Sequence, residues 1–203
     1  MKIIAIGRNY AEHAKELNNP LPQKPVLFLK PDTAVLKDNK PFYHPNFSND
    51  IHHEIEVVLK ISKEGKLIQE KFAHKYYDEI GLGIDFTARD LQGEQKSKGL
   101  PWEIAKAFDH SAPISQFISK LEFKDLNTLD FKLFVNEELK QQGNTCDMIF
   151  NFDQIITYAS QFFTLKKGDL IFTGTPVGVS QVKIGNRLKA YLNDRELLNF
   201  EIK

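Results

Sequence analysis

Residues 51–61 read Ile-His-His-Glu-Ile-Glu-Val-Val-Leu-Lys-Ile, and this alternation constrains the fold more than any other stretch of the chain. It specifies a β-strand, in which residues two apart share a face. Glu54 and Glu56 therefore point one way, while Ile55, Val57 and Leu59 point the other way into a core. Two adjacent carboxylates repel each other unless a positive group joins them. A hard divalent cation with oxygen ligands is the simplest such group. A half-exposed strand with a solvated acidic face has the same period, so the segment alone leaves both readings open.

The flanking pattern is also rich in strands. Residues 2–6 predict a short buried strand ended by Gly7, and Asn9 caps a helix from about Tyr10 to Leu17. Pro20, Pro22 and Pro25 mark a loop before a strand over 26–30, which Pro31 closes. Residues 80–85 predict a strand whose glycines allow close packing. Thr87 and Asp90 have the spacing of an acidic capping box for a helix over 88–97. Hairpins are predicted at Asn136-Glu137 and at Asn193-Asp194. Ile155, Ile156, Ala159, Phe162 and Phe163 have helical spacing, with Asn151 as the cap and Gly168 as the stop. The expected fold is α+β and β-rich, one domain over residues 1–203, with about three short helices and no internal repeat.

Composition narrows the partners. With 27 basic and 27 acidic residues the formal charge is zero, which offers no electrostatic footprint for nucleic acid. Cys146 is the only cysteine, so no intrachain disulfide forms and a cytoplasmic, reducing setting is expected. The apolar run before Arg8 is too short for a signal-peptide core, and no stretch approaches a membrane span.

Four further features carry chemical potential. Asp85 ends an apolar strand just before a helix. It is either a helix cap or a third carboxylate completing, with Glu54 and Glu56, an oxygen site for Mg²⁺ or Mn²⁺. His13 and Glu16 share a helix face, either as a surface pair or as an imidazole oriented for general-base work. Lys106 lies in the mostly apolar Pro101–Phe108 stretch, either snorkelling to solvent or stabilising a developing oxyanion. The Gly174-Thr175-Pro176 turn after a strand is able to present backbone N–H groups and a hydroxyl to a carboxylate, or is purely structural.

Taken in order, these residues resemble a known family. The pattern is Gly7-Arg8-Asn9-Tyr10, His13, Lys30-Pro31, His53-Glu54-Ile55-Glu56, Asp85-Phe86-Thr87-Ala88-Arg89-Asp90, Lys98-Gly99-Leu100-Pro101-Trp102, Lys106 and Gly174-Thr175-Pro176. It resembles the fumarylacetoacetate hydrolase family over nearly the whole chain. The likeness is greatest to the short branch of acylpyruvate hydrolases and oxaloacetate decarboxylases. Asp109-His110-Ser111 departs locally from that pattern.

The resemblance implies a mixed β-sandwich roll, a homodimer and one Mg²⁺ or Mn²⁺ per active site. It implies Glu54, Glu56 and Asp85 as metal ligands and Lys106 as the cation near the substrate. It also implies a His13–Glu16 dyad on a lid helix, with Arg89, Gln92 and Thr175 lining the substrate pocket. The implied activity is metal-dependent cleavage of a carbon–carbon bond in small acylpyruvate-type β-diketo acids, with oxaloacetate decarboxylation as a companion reaction. Two other readings stay open. One is a 2-keto-4-pentenoate hydratase or 2-hydroxyhepta-2,4-diene-1,7-dioate isomerase of aromatic catabolism; the other is a non-catalytic metal-binding member.

Overall fold

A computed structural model of the chain describes residues 1–16 and 20–203. Two sheets organise it. A six-stranded mixed sheet has the order Val26–Lys30, Ile3–Gly7, Leu170–Phe172, Ile55–Ile61, Tyr77–Ile84 and Ile118–Ser119, and the Ile3–Gly7/Leu170–Phe172 pair is parallel. A four-stranded antiparallel sheet has the order Glu138–Asn144, Asp130–Val135, Arg187–Leu192 and Arg195–Glu201. The main core gathers side chains from both: Ile55, Val57, Leu59, Leu82 and Ile84 from the first sheet join Phe131, Leu133, Ala190, Leu198 and Phe200 from the second.

The six-stranded sheet is buried on its other face too. Ile3, Ala5, Val58 and Phe172 pack there with Ile114 and Ala34. Burial on both faces explains why the 55–61 strand is apolar on the side that Glu56 shares with Val58. It also places Glu56 inside the protein rather than on a solvated face, at 1% exposure.

Most predicted elements form. Both hairpins turn where expected, with Asn136, Glu137 and Asn193 at positive φ. The Phe152–Phe162 helix is opened by a reciprocal Asn151–Gln154 capping box. The first helix spans Ala11–Glu16; the expected extension to Leu17 lies outside the described residues.

Three expectations are corrected. The acidic segment is not one strand: Ile51–His53 pairs with Thr87–Ala88 and Ser180–Gln181 in a separate small sheet, and Glu54 sits at the break before Ile55. The Glu54 carbonyl accepts from Asp85 N at 2.8 Å, so the break brings Glu54 and Asp85 together. The Thr87–Asp90 capping box does not form, because Thr87 belongs to a strand and its hydroxyl bonds the Asp85 carbonyl. Asp90 instead accepts from Ser48 Oγ and the Asn49 and Leu91 amides. The 152–162 helix ends well before Gly168, which takes φ +89° in the tight turn leading into the 170–172 strand.

Candidate active site

Three strand ends meet at one cavity. Glu54 leaves the break in the acidic segment, Glu56 follows two residues along the 55–61 strand, and Asp85 comes directly after Tyr77–Ile84, the antiparallel neighbour of that strand. Ligand atoms from the three carboxylates lie within 4.8 Å of one another, and all three residues are at most 5% exposed. The cavity beside them has a volume of about 40 Å³ and is also lined by His13, Arg89, Gln92, Thr175 and Lys106. All nine candidate residues read from the sequence therefore converge, with Glu16 joined through His13. Asp85 caps no helix; it is the third carboxylate of the cluster.

Cations divide unequally among these carboxylates. Lys106 Nζ bridges Glu54 Oε2 at 2.8 Å and Asp85 Oδ2 at 2.6 Å. Arg89 reaches Glu54 Oε1 at 2.6 Å and Gln92 Oε1 at 2.7 Å. Lys30, buried beneath the cluster, stands 2.6 Å from Asp85 Oδ1, off the hydrogen-bonding angle. It donates to the Ser111 carbonyl and hydroxyl at 2.9 and 3.0 Å. Glu56 has no such partner among the described residues. Its side chain accepts only from the Gly174 amide, at 2.6 Å.

The electrostatics follow this division. Burial alone would raise Glu54, but Lys106 and Arg89 hold it well below the usual carboxylate range. Burial raises Glu56 well above that range, and repulsion by Asp85 and Glu54 adds to it against the Gly174 N–H. Burial works against the Lys106 ammonium, yet Asp85 and Glu54 raise it overall, so it stays charged. A divalent cation fits this donor set. The donors are hard carboxylate oxygens gathered within 4.8 Å of one another, and Glu56 is a buried carboxylate with one hydrogen bond and no counter-charge among the described residues.

His13, which also lines the cavity, pairs with Glu16. Nδ1 lies 3.0 Å from Glu16 Oε2, and the other Glu16 oxygen accepts from the Gly178 amide at 3.1 Å. A carboxylate only accepts, so Nδ1 carries a proton, and in the neutral ring Nε2 is left with the lone pair. Gly178 thus ties the short helix to the turn that also holds Thr175. Phe28 lies under the Lys106 ammonium, 5.2 Å from ring centroid to Nζ, and packs against Trp102.

Residues 2–203 match the family described as fumarylacetoacetate (FAA) hydrolase C-terminal. The chain belongs to this family. It is 42% identical to the mitochondrial oxaloacetate tautomerase FAHD1 of Mus musculus, covering 99% of this chain and 91% of that protein. It is 47% identical to the mitochondrial oxaloacetate decarboxylase of Dictyostelium discoideum, covering 93% and 87%. The fumarylpyruvate hydrolase of Pseudomonas aeruginosa, solved with Mn²⁺ and pyruvate, superposes with a TM-score of 0.94 at 34% identity, covering all of this chain and 89% of that one. The fumarylacetoacetate hydrolase family and its short branch are thus the correct reading of the ordered motifs, and the strand-rich α+β fold agrees with them.

The site also contains residues to which the sequence reading gave no role. Lys30 closed an apolar run before Pro31 and stood in the ordered motifs as Lys30-Pro31, but no role was attached to it. Arg8 and Lys96 line the cavity. Burial lowers the Lys96 ammonium, as do the nearby Arg89, Arg8 and Lys106 charges, which marks this rim as strongly cationic. The Gly174 N–H serves a protein carboxylate, Glu56; the sequence left the turn open between presenting its amides to a carboxylate ligand and a purely structural role.

Proposed function

We propose that this chain is a divalent-metal-dependent enzyme acting on enolisable 2-keto acids. Oxaloacetate tautomerisation is its principal reaction, and carbon–carbon cleavage of acylpyruvate-type β-diketo acids is a second reaction of the same site. The observation that carries this reading is one small cavity lined by three carboxylates, by the cationic Lys106 bonded to two of them, and by His13 oriented by Glu16. The relatives named for oxaloacetate chemistry support the substrate class.

Glu54, Glu56 and Asp85 would hold Mg²⁺ or Mn²⁺. When bound, the cation supplies Lewis-acid polarisation of the substrate's 2-keto oxygen. Arg89, Lys96 and Arg8 attract the anionic substrate into the cavity. His13 Nε2 removes a proton from C3, and the electron pair forms the C2–C3 double bond. Lys106 spends two N–H bonds on Glu54 and Asp85, leaving the third for the developing enolate oxygen. Glu16 steadies the imidazolium until the proton is delivered to the C2 enolate oxygen, which completes the enol. In decarboxylation the C3–C4 bond of oxaloacetate breaks, CO₂ leaves, and the electron pair forms a pyruvate enolate stabilised at the same place; this needs no base, and a solvent water protonates C3.

The cleavage reaction uses the same groups. His13 Nε2 takes a proton from water as that water attacks the distal carbonyl of the β-diketo acid. The bond between that carbonyl and C3 breaks, its electrons form the pyruvate enolate, and the His13 imidazolium returns the proton to C3. The His13–Glu16 pair favours this second reading, since hydrolysis has to activate a water.

The test is an assay panel of Mg²⁺- and Mn²⁺-loaded protein against oxaloacetate, acetylpyruvate, fumarylpyruvate and a 2-keto-4-enoate. Faster interconversion of the oxaloacetate keto and enol forms supports the principal reading. Turnover of the 2-keto-4-enoate alone would replace it with a hydratase.

A further inference from the structure

We propose that Gln141 is a positioning residue for this site, whose carboxamide fixes the Thr175 hydroxyl as a hydrogen-bond donor to the bound keto acid. The proposal rests on the keto-acid reading of the cavity. Gln141 itself does not line the cavity; it stands on the Glu138–Asn144 strand of the other sheet, with 1% exposure.

All four hydrogen bonds of its amide are made. Oε1 accepts from Ile55 N at 3.0 Å and pairs with His53 Nδ1 at 2.9 Å. Nε2 donates to Thr175 Oγ1 and to the Pro176 carbonyl, both at 2.9 Å. The orientation of the amide is unambiguous, because the Ile55 amide only donates and the Pro176 carbonyl only accepts. Two consequences follow. His53 Nδ1 has to donate, so its Nε2 accepts from Ser180 Oγ at 2.8 Å. Thr175 Oγ1 has to accept, so its own hydrogen is unused by Gln141.

That hydrogen has no other protein acceptor among the described residues, although Thr175 is 3% exposed and lines the carboxylate cavity. A buried hydroxyl hydrogen without an acceptor is unfavourable. A carboxylate oxygen of a substrate in the cavity satisfies it. Without the Gln141 donor, the hydroxyl is free to turn toward the Pro176 carbonyl and away from the substrate. The sequence signal was faint, since Gln141 is one polar residue in the run Glu-Leu-Lys-Gln-Gln-Gly-Asn.

The experiment compares Gln141→Met, Thr175→Val and the double variant as Mn²⁺-saturated full chains. It measures the pyruvate Kd by calorimetry and KM and kcat for oxaloacetate. Each single variant is expected to weaken pyruvate binding and raise KM by about tenfold, with a smaller fall in kcat. The double variant is expected to be no worse than Thr175→Val alone, because Gln141 acts through that hydroxyl. Gln141→Glu provides a second route if the methionine variant does not fold. It keeps the acceptor for Ile55 and His53 but gives Thr175 an acceptor, turning the hydroxyl inward, and the same tenfold loss is expected. Wild-type pyruvate affinity in any folded Gln141 variant overturns the proposal, as does a penalty that multiplies with Thr175→Val. Failure of the wild type itself to bind pyruvate or to turn over oxaloacetate instead overturns the keto-acid reading, and the positioning role with it.

Discussion

Lys30 and Asp85 form a buried ion pair beneath the carboxylate cluster, with Nζ 2.6 Å from Oδ1 and both side chains at most 1% exposed. Ser111 anchors the lysine from the other side, and its hydroxyl in turn donates to the Lys106 carbonyl at 3.0 Å. Burial pushes the Lys30 ammonium down and Asp85 pulls it back up. The lysine therefore holds one carboxylate of the cluster in place from below, while Lys106 also binds it.

Removing this lysine leaves a buried carboxylate short of a counter-charge. Lys30→Met is expected to destabilise the metal-free protein by about 3–5 kcal/mol, read from urea unfolding at neutral pH. Saturating Mg²⁺ is expected to recover part of the loss, since a cation on Asp85 replaces the missing charge. A change below about 1 kcal/mol, the range of an exposed pair, would contradict a structural role for the pair.

Asp169 gives a pH-dependent test remote from the site. Burial alone would raise its carboxyl, but Lys2 through both its side chain and amide, together with the Lys166 amide, lowers it below its ordinary value. A depressed carboxyl stabilises the fold above its unfolded pKa, and that contribution is lost as pH falls through the folded value. Asp169→Asn is thus expected to lower stability by about 1–2 kcal/mol at pH 7. The gap to wild type should close as thermal unfolding is repeated at progressively more acidic pH. A gap that widens in acid would contradict the sign.

The His13–Glu16 pair predicts a separation of reactions. His13→Ala is expected to slow acylpyruvate hydrolysis by about 10²–10⁴-fold, the usual contribution of a general base. Oxaloacetate decarboxylation needs no base and should fall far less. Equal losses in both activities, measured on one preparation, would count against Nε2 as the base.

The sequence showed much of this site, and the reason is local. Period-2 counting pairs Glu54 with Glu56, although Glu54 lies at the break just before the strand, and His13 and Glu16 are three apart on one turn of helix. Asp85 was ambiguous because a strand end and a helix cap look alike from one side; the Lys30 and Lys106 contacts that decide it come from 55 and 21 residues away. The break at Glu54 was invisible for a similar reason. At that break Ile55 N donates to Gln141, 86 residues along the chain. Alternation also predicted a solvated acidic face as readily as a buried one. Only the second packing layer, Ile3, Ala5, Val58 and Phe172, turns that face into an interior.

Titration of Mn²⁺ into chelator-treated protein, wild type beside Glu56→Gln, tests the central claim most directly. Glu56→Gln keeps an oxygen for the Gly174 amide while removing the one carboxylate of the cluster that lacks a counter-charge among the described residues. A single saturable ion per chain is predicted for the wild type, with affinity weakened more than about 100-fold in the variant. Oxaloacetate turnover should return with Mn²⁺ occupancy in the wild type alone. Equal Mn²⁺ affinity in the two proteins, or full turnover by the wild type after exhaustive chelation, would contradict the account.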